Sequence, residues 1–155
     1  MKTPTLWRAG FVNRWHTNDS HALRNSQDIN HAHQGRVALL MWELFPDCTR
    51  DDLLSCLVHD LPEKATGDMS GEAKRSNPAW AEMLHDAEMQ WLIDADAFVP
   101  GNPARRRLCD VLDAYLFARM IDPSLMSRHD WIDQHGRILK MADALGVADK
   151  VKEWI

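Results

Sequence analysis

His33 and the adjacent pair His59-Asp60 are side chains that bind metals or move protons, and they sit where helices must bring them inward. On a helix over about 30–44, His33 is followed at helical spacing by Val37, Leu40, Met41 and Leu44, so it belongs to the apolar stripe near the helix start. A next helix, about 50–60, carries Leu53 and Leu57 on the stripe that closes in His59-Asp60. Consecutive helical residues point about 100° apart, so an ion lying between the two directions is within reach of both side chains. A later, nearly all-apolar helix is interrupted by Asp110 and Asp113. A buried carboxylate is costly without a partner, so at least one of these must face a cation or donors. Two imidazoles and two carboxylates make a mixed N/O set suited to a divalent ion such as Mn, Co, Fe, Zn, Ni or Mg.

Each residue alone has a plainer reading. A single inward histidine is usually a hydrogen-bonded core residue, His59 can complement a helix dipole, and Asp110 can pair with Arg106 or Arg107 one turn earlier. The joint pattern, His then His-Asp then a buried acid on successive helices, is what favours a metal site.

The elements that must position these residues follow from period-3.6 apolar patterning, and no segment alternates at period 2. About six helices are expected: within 6–15, then about 30–44, 50–60, 78–98, 104–121 and 130–145. Residues 17–28 have loop chemistry. Thr49 with Asp52 predicts a cap, Asn77-Pro78 a helix start and Gly146 a stop. With no repeat, low-complexity tract or composition shift, the expectation is one all-α domain over 1–155.

Composition narrows the function. The chain has 155 residues, 45% hydrophobic and 26% charged, with a net charge of −5. It lacks the basic field of a nucleic-acid binder, so no nucleic-acid polymer is expected as partner. Three cysteines without CxxC spacing suggest reduced thiols, and no apolar run nears the ~18 residues of a membrane span. A soluble, cytoplasmic protein without membrane association is expected.

The pattern also resembles a known family. Val12-Asn13-Arg14-Trp15, His31-Ala32-His33-Gln34-Gly35-Arg36-Val37-Ala38, the segment Leu57 to Asp68 (LVHDLPEKATGD) and Cys109-Asp110-Val111-Leu112-Asp113-Ala114-Tyr115-Leu116 together resemble the HD-domain phosphohydrolases. The resemblance is nearest to bacterial 5′-deoxynucleotidases and small phage deoxynucleotide triphosphohydrolases. It implies a compact HD-type helical bundle with His33, His59, Asp60 and Asp110 as metal ligands. Asp110 is preferred to Asp143, whose Lys140-Met141-Ala142-Asp143 string fits locally, because Ala114-Tyr115-Leu116 follows at the family offset; Asp113 is the other candidate.

The resemblance further implies Glu63 and Asp68 as catalytic acids, with Arg14 on phosphate and Trp15 on the nucleoside. Lys64, Lys74 and Arg75 are candidates to receive a longer phosphate tail. The implied activity is hydrolysis of a deoxynucleoside monophosphate to nucleoside and phosphate, or alternatively of a triphosphate to nucleoside and triphosphate. Relatives of this kind assemble as dimers or larger homo-oligomers, and Trp80, Trp91 and Trp131 are candidates for an interface or for the core. A non-catalytic nucleotide- or partner-binding domain is the alternative from another class; it predicts loss of the acid after the metal pair, where Glu63 and Asp68 stand.

Overall fold

A computed structural model describes residues 4–155. It is all-α: among the described residues there is no strand, only an isolated antiparallel bridge between Asn13 and Ile29. The helices are α1 (Thr5–Ala9), α2 (His21–Arg24), α3 (Asn30–Leu44), α4 (Arg50–Val58), α5 (Glu63–Thr66), α6 (Gly71–Ser76), α7 (Pro78–Asp94), α8 (Pro103–Ile121), α9 (His129–Ala144) and α10 (Ala148–Lys152). A 3-10 turn, Pro123–Ser127, joins α8 to α9. No helix among the described residues is long and apolar enough to cross a membrane.

The core forms where α3 packs on both α4 and α8, with α9 against α8. Val37, Met41 and Leu44 of α3 meet Cys56 of α4, Leu108, Leu112 and Tyr115 of α8, and Ile138 and Ala142 of α9. The buried face of α3 reads Asn30, His33, Gln34, Val37, Met41, Leu44, so the chemistry-bearing residues occupy the first turns of an ordinary helical stripe.

One polar contact sets the register between α4 and α8. Thr49 and Asp52 form a reciprocal capping box at the start of α4. The second oxygen of Asp52 accepts from the backbone N–H of Asn102 at 2.6 Å, directly before α8. His59 lies seven residues beyond Asp52 and Asp110 eight beyond Asn102. At 1.5 Å per residue both are roughly 10–12 Å along from the shared cap. That equality brings His59 and Asp110 to the same level.

The structure refines the expected helices: one bound is narrowed, one helix is added in an expected loop, and two helices end early. The first helix, expected to be short and within 6–15, stops at Ala9 because residues 10–14 leave the helix to pair with 28–31: His31 N–H donates to the Gly10 carbonyl and Arg14 N–H to that of Asp28, both at 2.9 Å. The expected loop 17–28 contains the short α2, capped by Ser20. Helix α4 ends at Val58, with His59 and Asp60 in the turn that follows. Helix α7 ends at Asp94 instead of near Phe98. Asp96 adopts a left-handed backbone, and Ala97 N–H reaches back to the Leu92 carbonyl at 2.8 Å, closing the helix with a Schellman turn that lacks glycine. The same turn closes α9, with Gly146 at the left-handed position as expected.

Candidate metal centre and its cleft

His33 is fully buried on α3, and acids face both of its nitrogens. Its Nδ1 lies 2.7 Å from Asp113 Oδ2, a hydrogen bond that makes Nδ1 the donor. Its Nε2 then carries the lone pair, with Asp60 Oδ2 and Asp110 Oδ1 each at 3.3 Å. His59 repeats the arrangement. Its Nδ1 donates to the Cys56 carbonyl at 2.8 Å, and its Nε2 faces Asp60 Oδ1 at 3.3 Å and Asp110 Oδ1 at 3.9 Å.

Both Nε2 atoms are buried and have no hydrogen-bond partner among the described residues; the carboxylates approach them without hydrogen-bond alignment. Two imidazole lone pairs and two carboxylates therefore converge, with one atom from each of the four residues within 4.8 Å of the others. Four acceptors converging in this way suit a cation between them. Metal–ligand bonds of about 2.1 Å imply ligand–ligand edges of roughly 3–3.4 Å; the three 3.3 Å contacts fall in that range, and His59 Nε2 to Asp110 Oδ1 is longer at 3.9 Å. His33, His59, Asp60 and Asp110 can thus hold a divalent ion, and the Asp113 and Cys56 acceptors behind the rings are the outer partners such a site uses to fix tautomer and orientation.

Burial opposes a charged imidazole, yet Asp110, Asp113 and Asp60 around it lift His33 to about 10. Burial likewise opposes ionised Asp60 and Asp110, but the two histidines hold both carboxyls below the usual range.

Asp110 divides its oxygens. Oδ1 joins the cluster, while Oδ2 accepts from Arg107 at 3.0 Å, so the ion-pair reading and the ligand reading both describe it. Asp113, the rival candidate, stands behind His33 instead of in the cluster. Asp143 is exposed on α9 and takes no part.

The cluster opens on a cleft of about 690 Å³. Asp60, Glu63, Asp68 and Asp110 line it, with Arg14, Trp15, Tyr115 and Trp131 forming other walls. The buried Glu63 accepts from Asn30 Nδ2 at 2.7 Å, and the same amide donates to the Asp60 carbonyl at 3.0 Å, so Asn30 fixes the acid relative to the His-Asp turn. Burial, with Asp60 and Asp68 adding repulsion, pushes the Glu63 carboxyl up to about 8. Gly67 has φ 80 and ψ 151, a conformation essentially confined to glycine, and it turns the chain so that Asp68 reaches the cleft.

The cationic residues divide. Arg14, Lys74, Arg75, Arg107, Arg128 and Arg137 line the cleft. Lys64 does not: it is exposed and lies outside the lining, because α5 turns only its Glu63 inward. Of the tryptophans proposed for core or interface, Trp131 packs near Trp15 and Tyr115, while Trp80 is half exposed.

Sequence reasoning missed Asp28, Asn30 and Arg36 and placed Asp113 only as a rival ligand. Asn30 and Arg36 lie three residues either side of His33, the spacing that shares a helical face, which was the available signal. Asp28 carries no such signal.

The sequence matches no family model, and neither the characterised proteins nor the solved structures compared with it give a significant match.

Proposed function

We propose that this protein is a metal-dependent phosphohydrolase of the HD type acting on deoxynucleotides, with a monophosphate converted to deoxynucleoside and phosphate. The observation that carries the reading is the pair of buried Nε2 atoms of His33 and His59, unpartnered among the described residues, facing two carboxylates at the floor of a cleft that also holds a buried acid and several cationic side chains. A purely structural polar cluster would satisfy those nitrogens.

A divalent ion held there would polarise phosphate and make water a stronger nucleophile near neutral pH. Arg14 spends one terminal nitrogen on Asp28 and keeps other guanidinium donors for phosphate oxygens. Trp15 supplies an aromatic wall for the nucleoside. As water adds to phosphorus and the bond to the 5′ oxygen breaks, Glu63 gives that oxygen its proton. Asp68, on the same side of the cleft, accepts from the sugar or from the attacking water. The deoxynucleotide part of the reading draws on Arg14-Trp15 and on the spacing of Glu63 and Asp68 after His59-Asp60.

A triphosphate substrate is the second reading, and one observation favours it. Lys74, Arg75 and Arg137 line the cleft and make no ion pair among the described residues, so more cationic charge faces the site than one phosphate needs. Incubation with deoxynucleoside mono- and triphosphate panels plus Mn²⁺ or Co²⁺, with chromatographic identification of the product, tests both. Phosphate released from monophosphates supports the first reading and triphosphate release the second. Turnover of neither class would overturn the proposal.

A further inference from the structure

Trp15 is held in a left-handed backbone conformation, φ 64, which bulky residues adopt only when their surroundings impose it. The imposing contacts form a closed circuit. The indole Nε1 donates to Asp28 Oδ2 at 3.1 Å. The indole ring stacks on Phe117 at 6.1 Å between centroids, and the Arg36 guanidinium lies over the Phe117 ring at 4.6 Å. Arg36 returns to Asp28 with both terminal nitrogens, at 3.0 and 3.1 Å. Asp28 also accepts from Arg14 at 3.3 Å.

The circuit extends to the metal centre. Arg36 Nε donates to Asp113 Oδ1 at 2.7 Å, and Asp113 Oδ2 takes the Nδ1 proton of His33. Two nearly buried carboxylates are matched by two guanidiniums, so charge balances along the chain Trp15–Asp28–Arg36–Asp113–His33. Buried ion pairs of this kind contribute little net stability, and removing one member leaves the others unpaired. What such a network supplies is a single geometry.

We propose that Asp28 is a positioning residue: it sets Arg14 and Trp15 in the cleft and, through Arg36 and Asp113, the orientation of His33. For what Arg14 and Trp15 face, this rests on the phosphohydrolase reading above; the tie to His33 rests on geometry alone.

Asp28→Asn tests it, since it keeps the size and one acceptor oxygen but loses the charge that gathers two guanidiniums. Folding is checked by circular dichroism, and Mn²⁺ alone is titrated calorimetrically into the metal-free protein. The expected result is a folded variant whose Mn²⁺ affinity falls about tenfold, because Arg36 no longer fixes Asp113, the outer partner of His33. With a deoxynucleotide substrate, KM rises more than kcat falls, because Arg14 and Trp15 bind substrate without joining the chemistry. Unchanged Mn²⁺ affinity overturns the proposal, whatever happens to KM. If Asp28→Asn does not fold, Arg36→Lys, which keeps the charge and loses the fork, decides by the same Mn²⁺ readout: a tenfold loss supports the tie and no change overturns it. If no nucleotide is turned over by the unaltered protein, the substrate reading fails while the Mn²⁺ titration still decides the tie.

Discussion

Asp113 accepts the Nδ1 proton of His33 at 2.7 Å, and that one hydrogen bond determines that Nε2 faces Asp60 and Asp110 as a lone pair. The acid that the sequence offers as a rival ligand is therefore the group that orients His33 toward the cluster. Asp113→Asn should retain the fold but weaken Mn²⁺ binding about tenfold or more, since the amide is a weaker acceptor and Arg36 keeps only Asp28 of its two charge partners. Calorimetric titration against the unaltered protein checks this; equal affinities would show that the contact does not tune His33.

Glu63 lies three residues after Asp60 but is held by Asn30 instead of by the cluster. Its expected role is proton transfer, so Glu63→Gln should lower kcat by a factor of roughly 10²–10⁴. Mn²⁺ binding should change little. A variant that loses the ion as well as turnover would make Glu63 a ligand and not an acid.

The helical architecture and the inward placing of His33 were legible from short-range spacing, and the choice of Asp110 as the fourth member of the cluster came from the family resemblance. His33 shares a stripe with Val37, Met41 and Leu44, and of the two acids in the apolar stretch of α8 Asp113 is buried while Asp110 is partly exposed. What was not legible depends on contacts between distant segments. The end of α1 at Ala9 follows from pairing of residues 10–14 with 28–31, which no local period encodes. The early end of α7 depends on Asp96 taking a position glycine usually holds. Asp28 looks like a loop aspartate until the pairing of 14 with 28 brings Arg14, Trp15 and Arg36 around it. Lys64 reads as a neighbour of the site by sequence, yet one helical step from Glu63 turns it to solvent.

Asp52 joins the starts of α4 and α8, and its bond from the Thr49 N–H, aided by that of Asn102, keeps its carboxyl below the usual value against the opposing effect of burial. A pKa lower in the folded state means stability that is present above the unfolded value of about 3.9 and lost as pH falls through the folded one. Asp52→Ala should therefore cost about 1–2 kcal/mol at pH 7, the scale of a lost cap. The gap should narrow as pH drops below about 4. Urea melts at pH 7 and pH 3 measure it, and a gap that does not depend on pH would remove the carboxylate from the account.

Lys74 and Arg137 line the cleft and Lys64 does not. If the cleft receives a triphosphate, Lys74→Ala and Arg137→Ala should each raise KM for triphosphates more than for monophosphates, while Lys64→Ala leaves both unchanged. Steady-state kinetics on the two substrate classes provides the comparison. Equal effects on both classes would mean that these cations do not meet the distal phosphates.

The convergence of His33, His59, Asp60 and Asp110 is tested most directly by metal content. Protein loaded with Mn²⁺ and then desalted should retain about one ion per chain by elemental analysis, since four ligands surround one centre. His59→Ala and Asp110→Ala should lose it, whereas Asp143→Ala should keep it. A protein that retains no ion, or that holds one equally well after His59→Ala, would contradict the account.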